Sequence, residues 1–316
     1  MTSVKRRDFL LSSGLATLGL TSGCFKNSAK KPIKYSVTQT GNSVSIFSDD
    51  VQKKCKIIFA ADTHIAVQEK LTPPYDDYAS RMGRRRRGPE TLISITEKAQ
   101  KENADAVILG GDIINYPSKG NIDAVYNTIS RSKVPVFYIA GNHDWHFEGD
   151  SGSDIEQRQK WLAALKPLYF GNNQLLYSKV IAGIKLLCLD NSTYHILPEQ
   201  LEVFKREISE GLPTIIFAHI PLYFKGRDIW FGCGNPNWNA SNDPAWKIER
   251  RQRWSESGLS KSTFEFYDLF MNSPNVLGIF VGHIHNSSSD MANGKFQFVA
   301  PMGMKGEFLE IKISPM

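Results

Sequence analysis

The chain has 316 residues, 41% of them hydrophobic, enough to bury one large core or two smaller ones. Its formal charge of +6 is moderate: Lys5, Arg6 and Arg7 less Asp8 contribute +2 near the amino terminus, leaving about +4 for the remainder. That balance suits anionic small-molecule substrates and is too weak to argue for nucleic acid. No apolar run approaches the roughly 18 residues that a membrane span requires.

The stretch "KRRDFLLSSGLATLGLTSGC" has a cationic start, moderately apolar residues from Phe9 to Leu20 and small residues before Cys24. This is the anatomy of a cleaved export signal over residues 1–23, too short for a membrane helix. Arg6 and Arg7 followed by Asp8, Phe9 and Leu10 resemble a twin-arginine signal, which carries folded proteins. "TSGC" resembles a lipobox that would place a lipid on Cys24, although Thr21 stands where a lipobox favours Leu. The expected location is outside the cytoplasmic membrane, periplasmic or anchored through Cys24. Cys55, Cys188 and Cys233 are too few for a disulfide scaffold. Cys55 and Cys188 lie in strand-like runs and read as small core residues.

Residues 24–54 read as a polar linker (25–34) and a leading strand region, and residues 55–316 as the main domain. Strands are expected at 56–61, 105–109, 134–139, 184–189, 214–218, 276–281, 296–300 and 307–313. Helices are expected at 89–102, 121–132, 154–165, 198–209 and 262–272, with apolar spacing such as Leu201, Phe204, Ile208. This alternation predicts a mostly parallel sheet with crossover helices. The last two strands, joined through "APMGMKGE", are expected to pair antiparallel and to indicate a second sheet on the first. Two long loops interrupt the scheme, 67–88 and 223–261, and loops of that length are usually functional or disordered.

The ends of the strands carry the chemistry. "IIFAADTH" ends in Asp62 and His64, "AVILGGD" in Asp112, and "VFYIAGNHD" in Asn142, His143 and Asp144. "TIIFAHIP" ends in His219 and "LGIFVGHIH" in His283 and His285. One such end could be a polar turn, since Asn and Asp favour turns through local hydrogen bonds. Five alike, holding five of the seven histidines, indicate a site at the carboxyl ends of the strands, where open α/β sheets bind ligands. Oxygen and imidazole donors without thiolate suit two transition-metal ions (Mn, Fe or Zn). Two divalent ions less two aspartates and a hydroxide leave a net positive cluster for an anionic phosphate, and Asn142 adds an oxygen without cancelling that charge. Paired ions clamp the attacking and leaving oxygens of an in-line displacement.

The ordered blocks "DTH", "GGD", "GNHD", "AHIP" and "GHIH" resemble the calcineurin-like metallophosphoesterases over roughly residues 56–313. The resemblance implies an α/β four-layer sandwich, α/β/β/α, of two mixed sheets with flanking helices. It implies one metal on Asp62, His64 and His285, another on Asn142, His219 and His283, and Asp112 bridging both. It also implies attack by a bridging hydroxide, His143 as the leaving-group acid and Asp144 as the residue orienting that imidazole. Purple acid phosphatases carry a tyrosine ligand three residues after the bridging aspartate; here that position is Asn115, so no tyrosinate-to-iron colour is expected. The lipid A pathway hydrolases of this fold usually have Arg where this chain keeps His143.

The activity so implied is that of an exported phosphatase, with a phosphodiesterase acting on nucleotide- or lipid-type diesters as the alternative. An idle surface-binding lipoprotein is the alternative from another class, and it has no need of His143. The substrate would be a phosphorylated small molecule or envelope component. Arg81 and Arg84 to Arg87 leave on the active-site side and read either as a clamp for a second acidic group or as a solvated charge run. Trp230, Phe231, Trp238, Trp246 and Trp254 of the 223–261 insertion read either as a wall for the leaving group or as a satellite core. His146 and His195 read as packing or capping residues, with a substrate contact as the alternative.

Overall fold

In the computed structural model the described residues are 33–76, 87–147, 150–224 and 260–316. The export signal, Cys24, Arg81, Arg84 to Arg86, and Trp230, Phe231, Trp238, Trp246 and Trp254 of the insertion lie outside them. The strands are β1 (Tyr35–Thr40), β2 (Ser43–Ser48), β3 (Cys55–Ala60), β4 (Ala106–Gly110), β5 (Val136–Ile139), β6 (Leu176–Ile181), β7 (Ile184–Leu189), β8 (Thr214–Phe217), β9 (Val276–Val281), β10 (Ser288–Ala292), β11 (Lys295–Val299) and β12 (Leu309–Pro315). The α-helices among the described residues are α1 (Glu90–Lys101), α2 (Lys119–Ile129), α3 (Asp154–Leu165), α4 (Pro198–Ser209) and α5 (Lys261–Asn272).

Two six-stranded mixed sheets form, in the orders β1-β2-β12-β3-β4-β5 and β10-β11-β9-β8-β7-β6. Within the first, β3, β4 and β5 run parallel, joined by α1 and α2. Within the second, β7, β8, β9 and β11 run parallel. The expected α/β four-layer sandwich of two mixed sheets is therefore what the chain builds. β4 (Ala106–Gly110) and β9 (Val276–Val281) are apolar and buried along their whole length, because both faces are covered.

Between the sheets, the Phe59 ring of β3 meets Phe217 of β8 at 5.5 Å and Phe280 of β9 at 6.0 Å. Outside the second sheet, Phe204 of α4 and Phe266 of α5 pack at 4.7 Å in a separate apolar cluster with Leu201 and Ile208. Serines cap three helices: Ser118 accepts from the Asn121 amide, Ser260 from Thr263, and Ser153 forms a capping box with Glu156. Cys55 and Cys188 are buried free thiols, as expected.

One expectation is corrected. β11 and β12 do not pair with each other: β11 lies between β9 and β10, whereas β12 lies between β2 and β3 of the other sheet. "APMGMKGE" is a crossing between sheets, pinned where the Gly303 amide donates to Ala61 O (3.1 Å) and the Met304 amide to Asp62 O (2.9 Å). Those bonds fasten it to the end of β3 and prevent a hairpin. The 24–54 region contributes the β1–β2 hairpin, whose second strand runs parallel to β12.

Candidate metal centre

The five strands β3, β4, β5, β8 and β9 end at one edge of the sandwich, three from one sheet and two from the other. Chain-to-chain bonds continue the sheet past the strand ends: Ile65 N donates to Ile113 O (2.8 Å) and Asn115 N to Ile65 O (2.9 Å). This holds the "DTH" and "GGD" segments side by side.

Asp62, His64, Asp112 and His285 bring their donor atoms within 4.8 Å of one another, and so do Asp112, His219 and His283. Asp112 belongs to both groups. Each aspartate divides its oxygens. Asp112 Oδ1 accepts from the His143 amide (2.7 Å), while Oδ2 lies 3.2 Å from His219 Nε2 and 3.7 Å from His64 Nε2. Asp62 Oδ2 accepts from the His283 amide (2.9 Å), while Oδ1 lies 3.2 Å from His285 Nε2 and 3.9 Å from His64 Nε2. One oxygen of each fixes the backbone of the facing loop and the other faces the centre.

The imidazoles are set in the same way. His219 Nδ1 donates to the Gly110 carbonyl (2.8 Å), and His64 Nδ1 to Asn115 Oδ1 (3.1 Å), so Nε2 of each ring faces inward and is the atom that accepts when the ring is neutral. The Nε2 atoms of His64 and His285 then stand 3.0 Å apart. Asp62, His64, Asp112, His283 and His285 all have positive φ, between 45° and 73°. A left-handed conformation costs a non-glycine residue about 1–3 kcal/mol, and such strain concentrates at functional sites.

A cation fits this donor set. Asn142 Oδ1 is a buried atom without a hydrogen-bond partner, a costly state unless something else binds it, and the equally buried Asp62 Oδ1 and His219 Nε2 have other atoms of the cluster as their nearest partners, at 3.2 Å. Burial opposes ionisation of Asp62 and Asp112, but the His285 hydrogen bond with Asp62 and the His219 charge beside Asp112 outweigh it and hold both below the usual carboxylate range. Burial lowers His64 to about 4 against the opposing charge of Asp112. At His219 the Asp112 carboxylate overcomes burial and raises the ring to about 9.

The structure brings Asp62, His64, Asp112, His219, His283 and His285 together, sets the His143 ring 4.6 Å from that of His64, and changes one role. Asp144 does not orient His143: its carboxylate accepts from the backbone amides of Gly141 (2.6 Å) and Ile114 (2.9 Å). His143 Nδ1 instead contacts the Asn115 carbonyl at 3.2 Å. Asp144 is fully buried, and burial followed by the charge of Asp112 raises it to about 7 against those two amide bonds. In the sequence Asn115 stands out only as the place where a tyrosine ligand is missing. It supports His64 through its side chain and His143 through its carbonyl. Among the other histidines, His146 Nδ1 lies 2.6 Å from Gln157 Oε1, and His195 Nδ1 accepts from the Ser260 amide (3.4 Å). Arg87 is exposed, its backbone bridging Ala66.

Residues 55–287 match the family model described as calcineurin-like phosphoesterase. The chain belongs to the calcineurin-like phosphoesterase family. It is a phosphoester hydrolase with an Asp/His cluster that could bind metals. Over 251 residues it is 21% identical to a Fibrobacter succinogenes protein named "Probable cyclic nucleotide phosphodiesterase", covering 79% of this chain and 80% of that one. A 135-residue stretch is 28% identical to the uncharacterized protein C23A1.02c of Schizosaccharomyces pombe, covering 34% of this chain and 31% of the relative, so the match spans under a third of that protein's length. The fold is similar to that of the purple acid phosphatase PPD1 from yellow lupin, with a TM-score of 0.50 at 14% identity, covering 84% of this chain and 48% of that one.

Proposed function

We propose that the protein is an exported phosphatase with a dinuclear metal centre. In this reading Asp62, His64 and His285 would hold one ion, Asn142, His219 and His283 would hold the other, and Asp112 would serve both. The observation that carries it is the pair of donor groups that share Asp112. When bound, two such ions supply positive charge to the phosphoryl oxygens and acidify water for attack. Manganese, iron and zinc all suit the donors.

The residues of the chain do the rest. Asp62 and Asp112 keep the two histidine-bearing loops in register through their amide contacts. His143, with Nδ1 at the Asn115 carbonyl, is left with Nε2 to give a proton to the leaving oxygen. Asp144 clamps the turn that carries His143. Residues 55–316 are the hydrolase domain and 223–261 its insertion. The leader over 1–23 places the protein in the periplasm or, through a lipid on Cys24, at the membrane.

A diesterase reading, on nucleotide- or lipid-type diesters, is favoured by the name of the Fibrobacter relative, which the match covers to 80% of its length. The test is kcat/KM on an aryl phosphate monoester and on its bis-aryl diester, with Mn²⁺, Zn²⁺ or Fe²⁺ supplied in turn. A monoester preference supports the phosphatase and a diester preference the alternative. Two bound ions with activity on neither ester would point to a demanding leaving group recognised by residues 223–261, or to a binding protein.

A further inference from the structure

A sixth strand, β7, ends at the same edge as the five that carry the candidate ligands, in the sequence Asp190-Asn191-Ser192-Thr193-Tyr194. None of these residues belongs to either donor group, yet Asp190, Asn191, Ser192 and Tyr194 are at most 4% exposed. Asn191 Oδ1 accepts from the His219 amide (3.1 Å) and the Ile220 amide (2.9 Å), and its Nδ2 donates to Ile220 O (2.7 Å). The amide group thus replaces a strand partner for the turn that carries His219. Ser192 Oγ accepts from Trp145 Nε1 (2.8 Å), three residues beyond Asn142, and donates to Asp190 Oδ1 (2.5 Å). Asp190 Oδ2 in turn accepts from Arg158 Nε (2.7 Å). Tyr194, at φ 63°, sets its ring 5.9 Å from that of His283.

One loop therefore touches His219 and His283, two members of one donor group, and the turn of Asn142, which the two-ion reading adds to them. The other group is supported elsewhere: Thr63 Oγ1 donates to Ile113 O (2.8 Å), His64 Nδ1 to Asn115, and the Asp62 carbonyl accepts from Met304. We infer that residues 190–194 are a positioning platform for the Asn142/His219/His283 ion alone, with Asn191 as its central residue. The inference rests on the two-ion reading above. Residues that hold metal ligands typically contribute 10–100-fold in affinity when altered.

The experiment titrates the full chain with Mn²⁺ alone, by calorimetry and by metal content after gel filtration, alongside thermal unfolding of the metal-free protein. Wild type should bind about two equivalents. Asn191→Ala should leave the tighter step within about threefold and weaken the other at least tenfold, so that retained metal falls to about one equivalent. Asn191→Asp, which keeps the acceptor for both amides and loses the donor to Ile220, should recover part of that loss and guards against misfolding of the alanine variant. Equal weakening of both steps, or of neither, in a folded variant would overturn the inference while leaving the two-ion reading intact. A wild type that binds fewer than two ions would overturn that reading itself, and the platform with it.

Discussion

Gly141 lies so close to Asp112 that a methyl group on its Cα would fall 2.3 Å from both the amide nitrogen and Oδ1 of the aspartate. Backbone occupies one of those positions, so no rotamer change relieves the clash. Gly282 stands likewise, its added carbon 2.7 Å from Asp62 Oδ2. The glycine before each histidine-bearing turn is thus a steric condition for the division of carboxylate oxygens. Gly141→Ala should lower metal content and turnover together, by tenfold or more, and wild-type metal binding in this variant would show that the turn can shift freely.

Asp112 faces both donor groups with one oxygen and holds the His143 turn with the other. Asp112→Asn keeps the shape and removes the charge. We expect a loss of about three decades in kcat, equivalent to ~4 kcal/mol of transition-state stabilisation. Near-normal turnover in a metal-replete assay would sink its assignment as the shared residue.

Asn115→Ala removes the oxygen that fixes the His64 tautomer, while the backbone carbonyl at His143 remains. Metal affinity should fall about 10–100-fold with kcat at saturating metal less affected. If kcat falls and affinity holds, the carbonyl contact with His143 is the one that matters.

Arg158 and Asp190 form a buried ion pair, their side chains 6% and 2% exposed. Asp190→Ala strands the guanidinium and the Ser192 hydroxyl, which should cost about 3–5 kcal/mol in denaturant unfolding of the metal-free protein. A loss under 1 kcal/mol would mean that water reaches the arginine.

Lys295 donates to the carbonyls of Ser273 (2.6 Å) and Val276 (2.5 Å), and burial lowers its ammonium to about 8 from 10.5. Between those values the unfolded chain holds a proton that the folded protein has released, so stability from this group rises with pH from about 8 to 10.5. The Tm of wild type should therefore gain on that of Lys295→Met across that interval. Parallel profiles would show that the group titrates normally.

All eight expected strands and five expected helices have a counterpart in the structure, legible in hydrophobic runs, with α3 and α4 right to the residue. The strands without a clear run of their own are the polar or marginal ones: β6 and β10, and β1 and β2, which the sequence marks only as a leading strand region. Their hairpin turns do carry a signal, since Asn293-Gly294 and Ala182-Gly183 take the paired positive φ of a tight hairpin. Half-exposed edge strands lack the continuous apolar run that marks a central one.

The sequence by itself determined the inventory of donors and their order, because apolar runs must end where the chain leaves the core and five of them end in Asp, His or Asn. It could not decide how β11 and β12 part between sheets, nor that Asn115 rather than Asp144 meets the His143 imidazole. Those outcomes depend on hydrogen bonds between segments far apart in the chain, such as Gly303 to Ala61 and Asn191 to His219. Such contacts have no local period, and only the packing of the two sheets brings their partners within reach.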